Sequence, residues 1–275
     1  MSAARGGRRM TRVAHHTVLI GFGLVMSTPL LFALFVSLLD PTAYPFKGGP
    51  VRFTLGNYAF VMSNAPIGRW YLNTLVVTAC VVAGAVVVNT LAGYALARFR
   101  FRGRQAVFLG IIAILMVPLQ AYLIPLYLQI TELGWLNTLT ALIVPFIVNP
   151  LLIFLMRQSF SALPAELADA AAIDGAGRLR TFLRIGVPLT ITGIATQAIL
   201  SATWMWNSFM VPVTMTNKPE LFVLTVGLNS LQSQHYTLPT VQMAGVVLLT
   251  VPVVVMFIAF QRYIVPSIAS TGIKA

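Results

Sequence analysis

The sequence predicts an all-α integral membrane protein, with six transmembrane helices and a cytoplasmic helix–turn–helix between the fourth and fifth. Three observations predict it. Of the 275 residues, 58% are hydrophobic and only 9% are charged, where a soluble domain carries charge on about a quarter. Such a chain cannot cover its own surface with polar groups, so that surface must face a lipid bilayer. Apolar runs long enough to cross it recur six times, and the basic residues gather on alternate sides of those runs.

The spans fall near residues 17–39, 71–97, 106–130, 137–158, 189–211 and 241–263, within a single domain covering 1–275. No water reaches the hydrocarbon to satisfy backbone polar groups, and the alternation of a β-barrel is absent, so all six are read as helices. Pro29, Pro118, Pro125, Pro145, Pro150 and Pro252 lie inside spans and predict kinks. The first span follows a basic stretch and has no convincing cleavage site before Asp40, so it is expected to be an uncleaved anchor.

Orientation follows from the basic residues. Arg5, Arg8, Arg9 and Arg12 precede span 1, and Arg98, Arg100, Arg102 and Arg104 follow span 2. Arg157, Arg178, Arg180 and Arg184 follow span 4, and Arg262 and Lys274 follow span 6. Only Lys47, Arg52, Arg69 and Lys218 lie on the other side. By the positive-inside rule both termini are cytoplasmic. The net charge of +12 is therefore a topological signal, and no nucleic acid is expected.

Several chemistries are excluded. Cys80 is the single cysteine, and His15, His16 and His235 are scattered, so no metal site is expected. No G-x-x-x-x-G-K-[ST] run is present, so the chain itself holds no nucleotide and no bound cofactor is expected. The carboxylates are Asp40, Glu132, Glu166, Asp169, Asp174 and Glu220, none in the middle of a span. That argues against a proton-coupled carrier and an intramembrane hydrolase, and favours a neutral or weakly charged solute.

The segment between spans 4 and 5, SALPAELADAAAIDGAGRLRTFLRIGVPL (161–189), is unlike the other loops. Pro164 suits a first helical turn, and Glu166 sits near the positive end of the helix dipole. Alanines continue the helix to Ile173, and Gly175 fits the left-handed position that ends one. A second helix from Arg178 to Val187 mixes arginines with Leu179, Phe182, Leu183 and Ile185, an amphipathic pattern suited to the inner membrane surface. A helix–turn–helix of small residues invites a docking partner; the alternative is a solvated loop with two surface helices.

This segment resembles the EAA loop of the membrane subunits of binding-protein-dependent ABC importers. Asp169-Ala170-Ala171, Gly175, Ile185 and Val187-Pro188 stand at that pattern's spacing, and Asp174-Gly175-Ala176 matches its usual D-G-A. Asp replaces the first Glu, and Val replaces the Leu before proline. Asn73-Thr74, Met116-Val117-Pro118, and Trp206-Asn207 with Phe209 and Pro212 look like the carbohydrate branch, most similar to the smaller permease of the maltose-type heterodimer. The resemblance implies a non-catalytic permease subunit in a bacterial cytoplasmic membrane. It implies a second permease, two ATPase subunits that bind ATP and magnesium, and an extracytoplasmic solute-binding protein. Glu166, Asp169, Ala170, Ala171, Asp174, Gly175, Ala176, Ile185 and Pro188 would form the ATPase-coupling element.

Span 5 carries the expected substrate face. At 100° per residue Gln197, Ser201, Trp204 and Ser208 form one stripe, and Thr192, Thr196, Thr203 and Asn207 an adjacent one. Opposite lies an apolar arc of Ile194, Ala198, Ala202, Met205 and Phe209. Hydroxyls, amides and an indole suit a sugar, so Gln197, Ser201, Trp204 and Asn207 are expected to face the pathway. Helix packing is the alternative, because Ser and Thr are common at interhelical contacts. A disaccharide or oligosaccharide is the expected cargo, with a glycerol-phosphate derivative as the alternative. A passive channel or a membrane transferase leaves the cytoplasmic motif unexplained.

Overall fold

The computed structural model describes the backbone over residues 3–42, 51–234 and 238–271, and side chains over 15–42, 51–231 and 238–259. Lys47, His235 and Lys274, and the side chains of Arg5, Arg8, Arg9, Arg12 and Arg262, lie outside the described residues. Among the described residues the regular structure is helical, with one isolated antiparallel bridge between Leu39 and Phe53. Four helical stretches are long and apolar enough to cross a membrane: His15–Ser37, Ile67–Arg98, Leu139–Ser161 and Pro239–Ala259. Two further candidates are bent pairs, and the number reaches six if each pair makes one crossing.

The chain divides into two compact units. The first contains α1 (Ala3–Ser37), α2 (Gly56–Asn64) and the beginning of the last helix, α14 (Pro239–Thr271). Its corner is closed by Asn57, whose Nδ2 donates to the carbonyls of Ser37 and Leu39 at 2.8 Å each. Tyr58 meets Ser37 hydroxyl to hydroxyl at 2.7 Å. Most side chains of α1 from His15 onward are exposed, among them Leu19, Phe22, Val25 and Leu31, as a lipid-facing or subunit-facing helix requires.

The second unit is built around α3 (Ile67–Arg98), 32 residues without an internal proline. It packs on α6 (Leu139–Ile147), α7 (Pro150–Ser161) and α11 (Ile191–Trp206). Close approach depends on small residues. A Cβ on Gly93 would stand 2.5 Å from Met156 Cβ and 2.8 Å from Arg157 N, and one on Gly84 would run into Ile147. On α11, a Cβ at Gly193 would run into Ser159 of α7.

Two spans are broken at prolines where kinks are expected, and both breaks are sharper than a kink. The span expected at 106–130 is two helices, α4 (Arg104–Leu115) and α5 (Leu119–Glu132), meeting at 101°. Pro118 has no N–H to continue α4, and its extended ψ of 146° redirects the chain. In span 4, Val148 and Asn149 are extended before Pro150, the conformation a following proline favours. The interruption is made good by side chains. Asn149 Oδ1 accepts from the amides of Leu151 and Leu152, while Asn89 of α3 donates to Ile147 O and accepts from Asn149 N, each at 3.0 Å.

Candidate functional site

The segment after α7 forms a helix, a tight turn and a second helical stretch. α8 (Glu166–Ile173) carries Glu166 and Asp169 in its first turn, where carboxylates complement the helix dipole. It ends in paired bonds, Gly175 N to Ala172 O at 3.1 Å and Ala176 N to Ala171 O at 2.8 Å. This is the Schellman arrangement, and it needs a left-handed residue at Gly175, whose φ is 73°. The spacing from Ala171 to Gly175 and Ala176 is therefore the spacing of a helix stop. Ala171 is buried and Ala176 half-buried, whereas Glu166, Asp169, Ala170, Asp174 and Gly175 are exposed. A Cβ on Gly175 would meet nothing within 4 Å.

The second stretch differs from the single α-helix expected over 178–187. One turn of α9 (Arg178–Thr181) passes into a π-helical turn at Phe182–Gly186 and then α10 (Val187–Leu189). Pro188 explains this: it offers no N–H to Arg184 O, and Val187 N reaches back five residues to Phe182 O. Thr190 closes the stretch, its hydroxyl donating to Gly186 O at 2.8 Å. The chain then bends by 76° into α11. Ile185 is half-buried and Pro188 exposed.

What joins this segment to the spans is an aromatic cluster that the sequence did not single out. Tyr94 of α3 lies 4.9 Å from Phe182, 5.1 Å from Phe160 and 5.6 Å from Phe99 between ring centroids. Gly186 fits between Phe160 and Tyr94, where a Cβ would stand 3.3 Å from the Phe160 ring. Arg98 Nη2 donates to Leu163 O at 2.7 Å and holds the exit of α7. The Arg157 guanidinium lies 3.6 Å over the Phe108 ring. Aromatic residues in apolar spans blend into the hydropathy signal, so only contacts reveal them.

The four residues expected on the pathway face separate into two pairs. Gln197 is fully buried; its Nε2 donates to Thr90 Oγ1 at 2.6 Å, and its Oε1 has no partner among the described residues. Ser201 is buried as well. These two face the chain's own interior, Gln197 on α3, although Trp204 of the same stripe stays open. Trp204 is 42% exposed beside Phe146, and Asn207 is exposed, its side chain donating back to Thr203 O at 2.8 Å. The adjacent stripe stays open at Thr192 and partly open at Thr196 and Thr203. The apolar arc lines a cavity of about 410 Å³, with Val82, Val86 and Met256 opposite Ile194, Ala198 and Ala202.

At its N-terminal end, one turn of α3 grips the segment after α12 (Met210–Met215). Trp70 Nε1 donates to Pro219 O at 2.9 Å, and Asn73 Nδ2 to Glu220 O at 2.8 Å and Phe222 O at 3.0 Å. Thr74 Oγ1 accepts from Leu224 N at 2.8 Å, where α13 (Leu224–Gln234) begins. Trp70 reads in sequence as an interfacial aromatic, yet it is buried, because its indole packs where a Cβ on Gly227 would lie.

Residues 89–270 match the family model described as "Binding-protein-dependent transport system inner membrane component". The chain belongs to this family. The arabinooligosaccharides transport system permease protein of Halalkalibacterium halodurans is 32% identical over 97% of this chain and 99% of that protein. The diacetylchitobiose uptake system permease protein of Streptomyces coelicolor is 31% identical over 98% of this chain and 90% of that one. Among solved structures, a chain of a bacterial ABC transporter involved in importing the acidic polysaccharide alginate superposes with a TM-score of 0.79. It is 25% identical and covers 93% of this chain and 96% of that chain. The carbohydrate branch that the motifs resemble is thus also the branch of these relatives, and the protein is an integral membrane permease subunit of the ABC importer type.

Proposed function

We propose that this chain forms half of the translocation pathway of a carbohydrate importer and couples it to ATP hydrolysis on a separate subunit. A disaccharide or short oligosaccharide is the cargo this reading favours, in keeping with the named cargoes of two relatives. The assembly would include a second permease, two ATPase subunits carrying ATP and magnesium, and an extracytoplasmic binding protein, in a bacterial inner membrane with both termini cytoplasmic.

The observation that carries the coupling role is the exposed tip of the helix–turn–helix. Ile173 is 87% exposed and Leu179 67% exposed on either side of Gly175, beside open backbone. Apolar side chains that flank a glycine turn favour a groove on a partner. Push on this tip passes to α11 through the π turn and to α3 through Phe182 and Tyr94. On the pathway side, Trp204 and Asn207 together with Thr192, Thr196 and Thr203 supply an apolar face edged by hydrogen-bonding groups, as a sugar ring requires. Gln197 and Ser201 would act one step back, holding α11 against α3.

The direct test is purification of the tagged chain from its native host in mild detergent, with the co-purifying proteins identified. Recovery of an ATPase, a second permease and a solute-binding protein is expected. Recovery of the chain alone, repeated in lipid nanodiscs, would refute the assembly.

A further inference from the structure

The cytoplasmic segment and an exposed segment at the other end of the spans are gripped by opposite ends of one helix. At the outer end Trp70, Asn73 and Thr74 make four hydrogen bonds to the backbone of 219–224. That backbone includes the 3₁₀ turn Pro219–Leu221, beside which Asn217, Lys218, Pro219 and Glu220 are exposed. Three of the bonds run from side-chain donors to main-chain carbonyls, so they fix the path of the segment whatever side chains it presents. At the inner end Tyr94 packs on Phe182 of the cytoplasmic segment, and Arg98 holds Leu163 at its entrance.

Between Trp70 and Tyr94 the helix is continuous, about 36 Å at 1.5 Å per residue. The other helices that touch the cytoplasmic segment are shorter. α7 runs 12 residues before the break at Asn149, and α11 runs 16 residues before Asn207. A displacement entering at Phe182 therefore has one uninterrupted path to the outer segment. Rigid elements with gripped ends transmit such displacements, because close-packed interiors do not absorb them.

We infer that α3 is a transmission rod between the cytoplasmic segment and residues 219–224, with Asn73 as the positioning residue at its outer end and Tyr94 as its counterpart inside. This rests on the importer reading above. The role follows from bond geometry: Asn73 bridges two carbonyls two residues apart, which a hydrophobic side chain of the same size cannot do.

The experiment uses the complete complex in lipid nanodiscs and measures ATP hydrolysis as the co-purified binding protein is added. Asn73→Leu keeps the branched shape, though it is larger, and removes both donated bonds; Tyr94→Leu removes the inner contact. Each is expected to lower the maximal stimulated rate about fivefold, the lower end of typical coupling between sites, with assembly and the unstimulated rate of Asn73→Leu unchanged. If both act through one rod, the double variant should fall about fivefold as well, where independent sites would give about 25-fold. Additive losses, or an undiminished Asn73→Leu, would overturn the inference. So would a change confined to the half-saturating concentration of binding protein, since that reports only local loop placement. Should Asn73→Leu fail to assemble, Trp70→Phe removes one bond, keeps an aromatic ring, and is read by the same criterion in combination with Tyr94→Leu. Absence of any stimulation in the unsubstituted complex would instead refute the importer reading on which the inference stands.

Discussion

Asn89 and Asn149 meet across two helices, the amide N–H of Asn149 donating to Asn89 Oδ1 at 3.0 Å while Asn89 Nδ2 donates to Ile147 O. One side chain of α3 thus satisfies both sides of the break in span 4, at a depth where water is scarce. Asn89→Leu would leave a half-buried donor and acceptor without these partners, each costing about 1 kcal/mol. A clear drop in the thermal unfolding midpoint of the purified chain in detergent is expected. An unchanged midpoint would show that the break does not depend on Asn89.

The crossing of α3 and α7 offers a steric test. Gly93→Val places a branched side chain where even a Cβ would lie 2.8 Å from the backbone nitrogen of Arg157. Backbone cannot rotate aside as a side chain can, so a loss of about 1–3 kcal/mol is expected, read as reduced folded yield and lower midpoint. Gly110→Ala on α4, with nothing within 4 Å of its Cβ, is the matched control and should be neutral or slightly stabilising. Equal tolerance of both would contradict the packing described.

The four long apolar helices were legible because hydropathy averages over some 20 residues, and the helix stop at Gly175 was legible because glycine after an alanine helix has few other uses. The 101° bend at Pro118 was not. Proline in a span predicts a kink, but its size depends on what packs against the freed carbonyls, which sequence does not state. The π turn had a signal in Pro188, since a proline ten residues after the start of a helical stretch must displace a hydrogen bond. On α11 the period of 3.6 placed Gln197, Ser201 and Trp204 in one stripe. It could not say where along a stripe α3 packs, and so Gln197 and Ser201, expected on the open face, lie buried while Trp204 of the same stripe is exposed. Asn89 was discoverable as an amide within an apolar run, and Tyr94 was not.

That division of α11 has a kinetic consequence. Trp204→Ala and Asn207→Ala remove groups that stand exposed, so sugar uptake is expected to fall while the midpoint of unfolding moves little. Gln197→Ala should behave oppositely, since it removes the 2.6 Å bond to Thr90 and leaves a void between α11 and α3. Its cost is expected at about 2 kcal/mol or more of stability, with substrate affinity little changed in the protein that folds. Radiolabelled uptake alongside thermal unfolding separates the two. Trp204→Ala with normal transport would remove Trp204 from the pathway.

Gly175 combines a backbone role and a docking role, and two substitutions separate them. Its φ of 73° strains most side chains by about 1–2 kcal/mol, but asparagine occupies that region readily. Since a Cβ there meets nothing within the chain, neither Gly175→Asn nor Gly175→Glu should unfold it. If the turn must enter a partner groove, the bulky acid is expected to abolish ATP-driven uptake and stimulated hydrolysis in the assembled complex. Asparagine should retain a part of both if conformation is the main requirement, and lose both if close approach of the bare backbone is. Either result for asparagine is consistent with coupling through this turn. Full uptake and stimulated hydrolysis in Gly175→Glu would not be, and would leave the Schellman turn as a helix stop alone.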